Sequence, residues 1–310
     1  NPRTLTGATG GLPERQDAGL PPSIGLLYPF RPRRVGAGTG SLSVVDEGSG
    51  PAVVMVHGNP SWSFLFRDLV LRLRGRYRCV APDHQGCGLS DPQPRRLRMA
   101  DHSANLGRVL DALGVGDYVL VAHDWGGAIG AHVAARDPGR VKGMVFLNTA
   151  AFPARRMPWQ IRLARSPVLG RFLVERCNAF AAGAFRKGVV RELAPVVADG
   201  FRLPWIDRRA RRAISAFVED IPRGPRHPSW DSLREAETGL ASLAGKPCLL
   251  AWGMKDFCFD ESFLGEWIRR FPEAETERFA EAGHYVLEDA GEALASRIEE
   301  FVGRVRETAS

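Results

Sequence analysis

The sequence predicts an α/β fold: a mostly parallel sheet covered by helices on both faces, with an inserted helical cap. Three observations carry this expectation. Short β-rich runs alternate with apolar residues at helical spacing along most of the chain. One strand-to-helix junction, VAHDWGGAIG at 121–130, sets a single reactive side chain among small residues. The stretch 151–234 then breaks the alternation with short helical pieces punctuated by Pro and Gly. Alternating strands and helices are what crossover connections between parallel strands require.

Strands are expected at Ser41–Asp46, Ala52–Val56, Tyr77–Ala81, Tyr118–Ala122, Val141–Leu147 and Cys248–Trp252, with a weak last one at Glu277–Ala280. Ser63 to Leu73 carries Phe64, Leu65, Leu69, Val70 and Leu73 at helical spacing, and Leu106, Val109, Leu110 and Leu113 form a second stripe. The helix after the junction should run to about Arg136 and stop at Asp137-Pro138-Gly139. Phe263–Phe271 and Ala293–Val305 read as amphipathic helices. The core domain is therefore assigned to 25–150 and 235–310, and the cap to 151–234. The cap carries Trp159, Trp205 and Trp230 and reads as a roof over a buried site. Residues 1–24 are rich in Gly and Pro, lack an apolar segment, and read as a flexible leader rather than a signal peptide.

Composition narrows the function classes. With 310 residues, 44% hydrophobic, the chain can bury an ample core. No apolar run approaches the ~18 residues of a membrane span. The five cysteines (Cys79, Cys87, Cys177, Cys248, Cys258) are scattered without metal spacing and fit a reducing cytoplasm. The net charge of +7 comes mostly from arginines without interleaved aromatics, so a nucleic-acid partner is not expected. Arginine pairs recur between 151 and 234 (Arg155-Arg156, Arg208-Arg209, Arg211-Arg212). A solvated face is their plain reading; docking to an acidic partner or a membrane surface is the second.

The junction frame is Ala122-His123-Asp124-Trp125-Gly126, with aspartate where a serine nucleophile usually stands. A tight strand-to-helix turn projects the central side chain, and a carboxylate needs no base to become nucleophilic. The helix amino terminus should favour the anion and hold its pKa down. In such sites an acid and then a histidine follow in chain order. His284 lies beyond the cap in AEAGHYVLEDA; Asp256, just past the strand Cys248–Trp252, is the expected acid, with Asp260 as runner-up. Asn148, at the end of Val141–Leu147, cannot supply the charge that stabilises an imidazolium. The backbone amides of Asn59 and Trp125 are placed to form an oxyanion hole. Their side chains add a carboxamide and an indole N–H beside the nucleophile, suited to an anionic leaving group. Gly36-Ala37-Gly38-Thr39-Gly40 precedes a strand instead of following one, so no dinucleotide loop is assigned. His57 and His123 lack ligand spacing and read as packing residues; neither metal nor cofactor is expected.

The stretches HGNPSWSFLFR, PDHQGCGLSD, VAHDWGG and GHYVLEDA, with the acid after AWG, resemble the haloalkane dehalogenase-like branch of the α/β-hydrolases over roughly Tyr28 to Val305. YPFRPRRV, LNTAAFP, NAFAAGA, FVEDIPRGP and DFCFDESFLGEW are more similar to the β-lactone decarboxylases of bacterial long-chain olefin biosynthesis. The resemblance implies an α/β-hydrolase fold with Asp124 as nucleophile, His284 as base, Asp256 as acid, and Asn59 and Trp125 as leaving-group donors. It implies a hydrophobic small-molecule substrate, a cis-β-lactone with two alkyl chains that loses carbon dioxide to give a cis-olefin. A cytoplasmic assembly with other enzymes of that pathway is implied as well. Haloalkane dehalogenase is the alternative, because halide and lactone carboxylate use the same donors. Epoxide hydrolase is disfavoured, since Tyr28, Tyr77, Tyr118 and Tyr285 all lie outside the cap. A non-catalytic binding protein would predict decay of the three site residues, and all three are present.

Overall fold

A computed structural model describes residues 19–38, 40–154 and 156–307. Of the expected leader, 1–18 lie outside the described residues, while Pro22–Ile24 open a helix, α1 (Pro22–Leu27), whose Ile24 is buried. Eight strands form one sheet: β1 (Arg33–Gly36), β2 (Ser41–Glu47), β3 (Ala52–Val56), β4 (Arg78–Pro82), β5 (Tyr118–Asp124), β6 (Val141–Thr149), β7 (Cys248–Gly253) and β8 (Glu275–Phe279). Their spatial order is β1-β2-β4-β3-β5-β6-β7-β8. β2 runs antiparallel to both neighbours and every other pairing is parallel.

Burial explains why the central strands read as continuous apolar runs. Every residue of β3, β5 and β7 is buried, so both faces are covered and no alternation survives in the sequence. The covering helices include α2 (Arg67–Leu73), entered through a 3-10 turn at Ser63–Phe66, α3 (Met99–Ala112) and α4 (Trp125–Arg136). A long C-terminal helix, Gly291–Glu307, packs against α2 and β6.

The sequence did not indicate β1. It forms a hairpin with β2, and beyond β1 the Ala37 N–H donates to the Gly40 carbonyl at 2.8 Å. The Gly-rich pattern there is a strand connection. β8 starts two residues earlier than expected, because ETERF is a charged edge strand with only intermediate or exposed side chains.

Between β6 and β7 the chain makes the helical insertion: α5 (Trp159–Ala164), α6 (Leu169–Arg171), α7 (Ala179–Lys187), α8 (Pro195–Arg202), α9 (Arg211–Glu219) and α10 (Trp230–Gly239). α10 packs against α4 and anchors the insertion on the sheet layer. Of the three cap tryptophans, only Trp205 is fully buried, whereas Trp159 is 66% exposed. After β7, α11 (Glu261–Arg270) follows the loop that carries Asp256.

Candidate active site

The chemistry-bearing residues gather at the C-terminal ends of adjacent parallel strands, where open α/β sheets place their ligands. β3 delivers His57-Gly58-Asn59, β5 ends in Asp124, β6 ends in Asn148 and Thr149, and the loops after β7 and β8 carry Asp256 and His284.

Asp124 is the junction between β5 and α4, with φ 51° and ψ −126°. A non-glycine residue there is strained, and the strain lifts its side chain off the sheet. Small neighbours make the turn possible. A Cβ at Gly126 would overlap the Val56 carbonyl, and one at Gly58 would overlap the Asp124 carboxylate itself. The Thr149 hydroxyl donates to the Asp124 carbonyl and pins the turn from β6.

One carboxylate oxygen of Asp124, Oδ1, accepts the Asn59 backbone N–H at 2.7 Å, and the Trp125 backbone N–H also donates to the carboxylate. The two amides expected as an oxyanion hole thus hold the anion of Asp124 itself. Oδ2 faces His284 Nε2 at 3.7 Å. Sequence reasoning expected a lowered pKa for Asp124; instead it is raised. Burial outweighs the opposing pull of His284 and the two backbone amides.

Asp256 and His284 form a buried pair, with His284 Nδ1 donating to Asp256 Oδ2 at 2.8 Å. Burial penalises the Asp256 charge, yet His284 and the Cys258 and Phe259 amides hold its pKa below the usual carboxylate range. Burial likewise opposes the His284 cation, but Asp256 and Asp124 together raise its pKa. Asp260 does not approach the pair. It caps α11, accepting the Ser262 N–H at 3.0 Å.

Two neighbours were not assigned to the site from sequence. Asn148 donates to Asp256 Oδ2 and to the Gly253 carbonyl, both at 3.0 Å, and accepts the Gly253 N–H at 2.8 Å. Its amide ties the β6 and β7 ends together and aims the acid. The available signal was its position at a strand end, which was weighed only for charge. His123 Nε2 donates to the His284 carbonyl at 2.8 Å, and burial holds its pKa down to about 3, so it supports that loop as a neutral ring. His57 also stays neutral, lowered by burial: its Nε2 accepts the His84 N–H, leaving Nδ1 to donate to the Gly58 carbonyl.

Asp124, Trp125, Asn59 and His284 open onto one cavity whose other walls are almost wholly apolar, among them Phe152, Ile161, Phe180, Val218, Leu233 and Phe259. None of the three cap tryptophans lines it. The Trp125 indole N–H has no hydrogen-bond partner among the described residues, and Asn59 Nδ2 donates one hydrogen to the Ile214 carbonyl at 3.3 Å. A primary amide carries two such hydrogens, so one remains. The arrangement offers a desolvated carboxylate, an imidazole whose cation its acid partner favours, and two N–H donors beside an apolar chamber. No group of three or more His, Cys, Asp or Glu side chains able to hold a metal ion occurs among the described residues.

Comparison with known proteins gives this geometry a family. A family model described as the alpha/beta hydrolase fold matches residues 51–291. The chain is 41% identical to a cis-3-alkyl-4-alkyloxetan-2-one decarboxylase of Xanthomonas campestris pv. campestris, covering 89% of this chain and 97% of that protein. It is 37% identical to a protein of the same name from Shewanella oneidensis, over 90% of each. Haloalkane dehalogenase 2 of Mycobacterium tuberculosis is 34% identical over 89% of this chain and 96% of its own length. Among solved structures, a haloalkane dehalogenase from Bradyrhizobium elkani superposes with a TM-score of 0.83 at 26% identity, covering 90% of this chain and 99% of that one. The chain belongs to the α/β-hydrolase fold family, among relatives that include oxetan-2-one decarboxylases and haloalkane dehalogenases.

Proposed function

We propose that this protein converts cis-3,4-dialkyl β-lactones (oxetan-2-ones) into cis-olefins and carbon dioxide, with Asp124 as nucleophile. The carrying observation is the 41% identity, over 89% of the chain, to a protein named for that substrate class. The site suits it: a carboxylate at the end of an apolar chamber meets a substrate that is apolar apart from one strained ring.

Asp124 Oδ2 attacks the ring carbon that bears oxygen, from behind. The carbon–oxygen bond breaks, and the ring oxygen departs within a free carboxylate that the Trp125 indole and the Asn59 amide receive. The bond to that carboxylate then breaks, its electrons form the double bond, and Asp124 leaves as the carboxylate it was. Inversion followed by anti loss keeps the alkyl groups cis. Throughout, His284 holds positive charge beside Asp124, and Asp256 keeps it oriented. No water is consumed. Placement in long-chain olefin biosynthesis, in a cytoplasmic assembly with other enzymes, belongs to the same proposal and rests on the sequence resemblance.

The dehalogenase reading is the second one, favoured by the 34% identity and the superposable structures. The fate of Asp124 separates the two. In a hydrolase, water attacks the aspartyl ester carbonyl, so turnover in heavy-oxygen water writes label into Asp124. In the lactone route the ester is expelled by decarboxylation, and Asp124 stays unlabelled while olefin accumulates. The mass of the Asp124 peptide after many turnovers on a cis-dialkyl lactone reads this out. Label in Asp124, with β-hydroxy acid as product, defeats the decarboxylase reading.

A further inference from the structure

The cap carries charge and exposed apolar surface that the site does not use. Between residues 151 and 234 lie 17 Lys and Arg against 7 Asp and Glu, a net of +10. On its α5–α6 side a groove is lined by Arg162, Arg165, Arg171 and Arg223 with Glu219 the one acid. Glu219 is already engaged, by Arg171 at 2.9 Å and by Arg96 at 3.4 Å. Arg162, Arg165 and Arg223 have no carboxylate partner among the described residues, and Arg165 Nε is buried without any acceptor. Burial and the nearby Arg223 lower the Arg165 pKa, against the smaller opposing pull of Glu219 and Asp220.

Around this groove stand side chains that a water-facing surface does not favour. Trp159, Val168, Leu169 and Phe172 are each at least half exposed, and Leu163 lies beside them on α5. Ile161 and Ala164 of the same helix are buried, so Trp159, Arg162 and Leu163 share its outer face. Arginines and apolar residues are interspersed along 159–172 rather than sorted into an apolar centre and a polar rim, as a protein–protein interface sorts them. Interspersed cations and interfacial aromatics are the pattern of a segment lying in a lipid headgroup layer. Met157 lines both the arginine groove and the active-site cavity, so one side chain borders the two.

We infer that the α5–α6 face of the cap docks on an anionic phospholipid surface. The arginine groove receives lipid phosphates while Trp159, Leu163, Val168, Leu169 and Phe172 enter the headgroup layer. Docking then brings the cavity wall at Met157 against the bilayer, where a substrate with two alkyl chains partitions; this role for docking rests on the lactone reading above.

The test is co-sedimentation of the full chain with vesicles of phosphatidylcholine alone and of phosphatidylcholine with one-third phosphatidylglycerol. Binding is expected to the second only, and to weaken as salt rises. Each arginine near an anionic surface contributes about fivefold in partition, so Arg162→Gln with Arg223→Gln should cost about 25-fold. Val168→Ser with Phe172→Ser should cost at least about tenfold through lost apolar burial. Thermal melting and olefin formation from a short-chain lactone in plain buffer should be unchanged in both variants, because none of the four residues lines the cavity. Absence of vesicle binding overturns the inference, as does binding that neither variant weakens. Protection by inorganic phosphate without vesicle binding would reveal a free-anion site instead. Equal binding to polyglutamate, insensitive to the serine pair, would point to an acidic protein and likewise overturn it. Vesicle binding by a protein that forms no olefin sinks the lactone reading and leaves docking standing.

Discussion

The sheet core and the helical cap divide the labour of the site unequally. Outside 151–234 the chain holds 25 Lys and Arg against 28 Asp and Glu, a net of −3, whereas the cap stands at +10. The ionisable groups linked to Asp124, His284 and through it Asp256, sit on loops that follow strands of the core. The cap's share of the cavity wall is apolar apart from Arg156. Seven of the nine large hydrophobic side chains found exposed among the described residues also belong to the cap. Rigid strand ends hold charges to a fraction of an ångström, which bond making requires. A helical roof of side chains can change shape without disturbing them. Chemistry should therefore fail with core substitutions, and selectivity should shift with cap substitutions.

The sharpest break in that comparison comes from Asp124→Asn. The amide is nearly isosteric but a very poor nucleophile, so turnover should vanish while the melting temperature holds. Product formation with deamidation excluded by mass spectrometry would remove Asp124 from the reaction. Next is Asp256→Asn, which leaves His284 without its charge partner. By analogy with other acid–histidine pairs it should cost on the order of 10⁴ in kcat. Asp260→Asn should leave the rate nearly unchanged, because Asp260 only caps α11. Reversal of that order would show that the acid is misassigned. Trp125→Phe then keeps a ring but deletes the indole N–H. Losing one preorganised donor to a developing anion should raise the barrier by about 2–4 kcal/mol. A rate within threefold of the parent would mean that Trp125 merely packs.

The same division explains what the sequence made legible. Strands buried on both faces announce themselves, and β3 matches its expected bounds at both ends. β1, with only Val35 buried among its four residues, carries no such signal and forms because β2 offers it an edge. Asp256 was readable because it follows a core strand directly, whereas Asn148 was passed over because its contribution is aim rather than charge. The direction of the Asp124 pKa was misread for a reason of magnitude. A helix amino terminus contributes only a modest favourable interaction, and complete burial of a carboxylate costs more. Local sequence shows the helix terminus; burial is set by segments distant in the chain, from core and cap alike, that no pattern around Asp124 reports.

The smallest expected effect bears most directly on the cap's role. Ile161 on α5 is 7% exposed and lines the cavity with a side chain that carries neither charge nor donor. Ile161→Ala removes three carbons from the wall and leaves room for a longer or bulkier chain. A single methylene in an apolar pocket alters discrimination by about 1–3 kcal/mol, so preference between lactones differing by a few methylenes should move by about tenfold in relative kcat/KM. The kcat on the preferred substrate should change less than threefold, since every donor and charge near Asp124 is supplied by the core. Measuring kcat/KM across a homologous series of cis-dialkyl lactones, with parent and variant side by side, separates the outcomes. A shift in chain-length preference at constant kcat supports a cap that selects and a core that reacts. A collapse of kcat for every chain length would instead mean that the cap holds the reacting ring in register, and the division between the two regions would not stand.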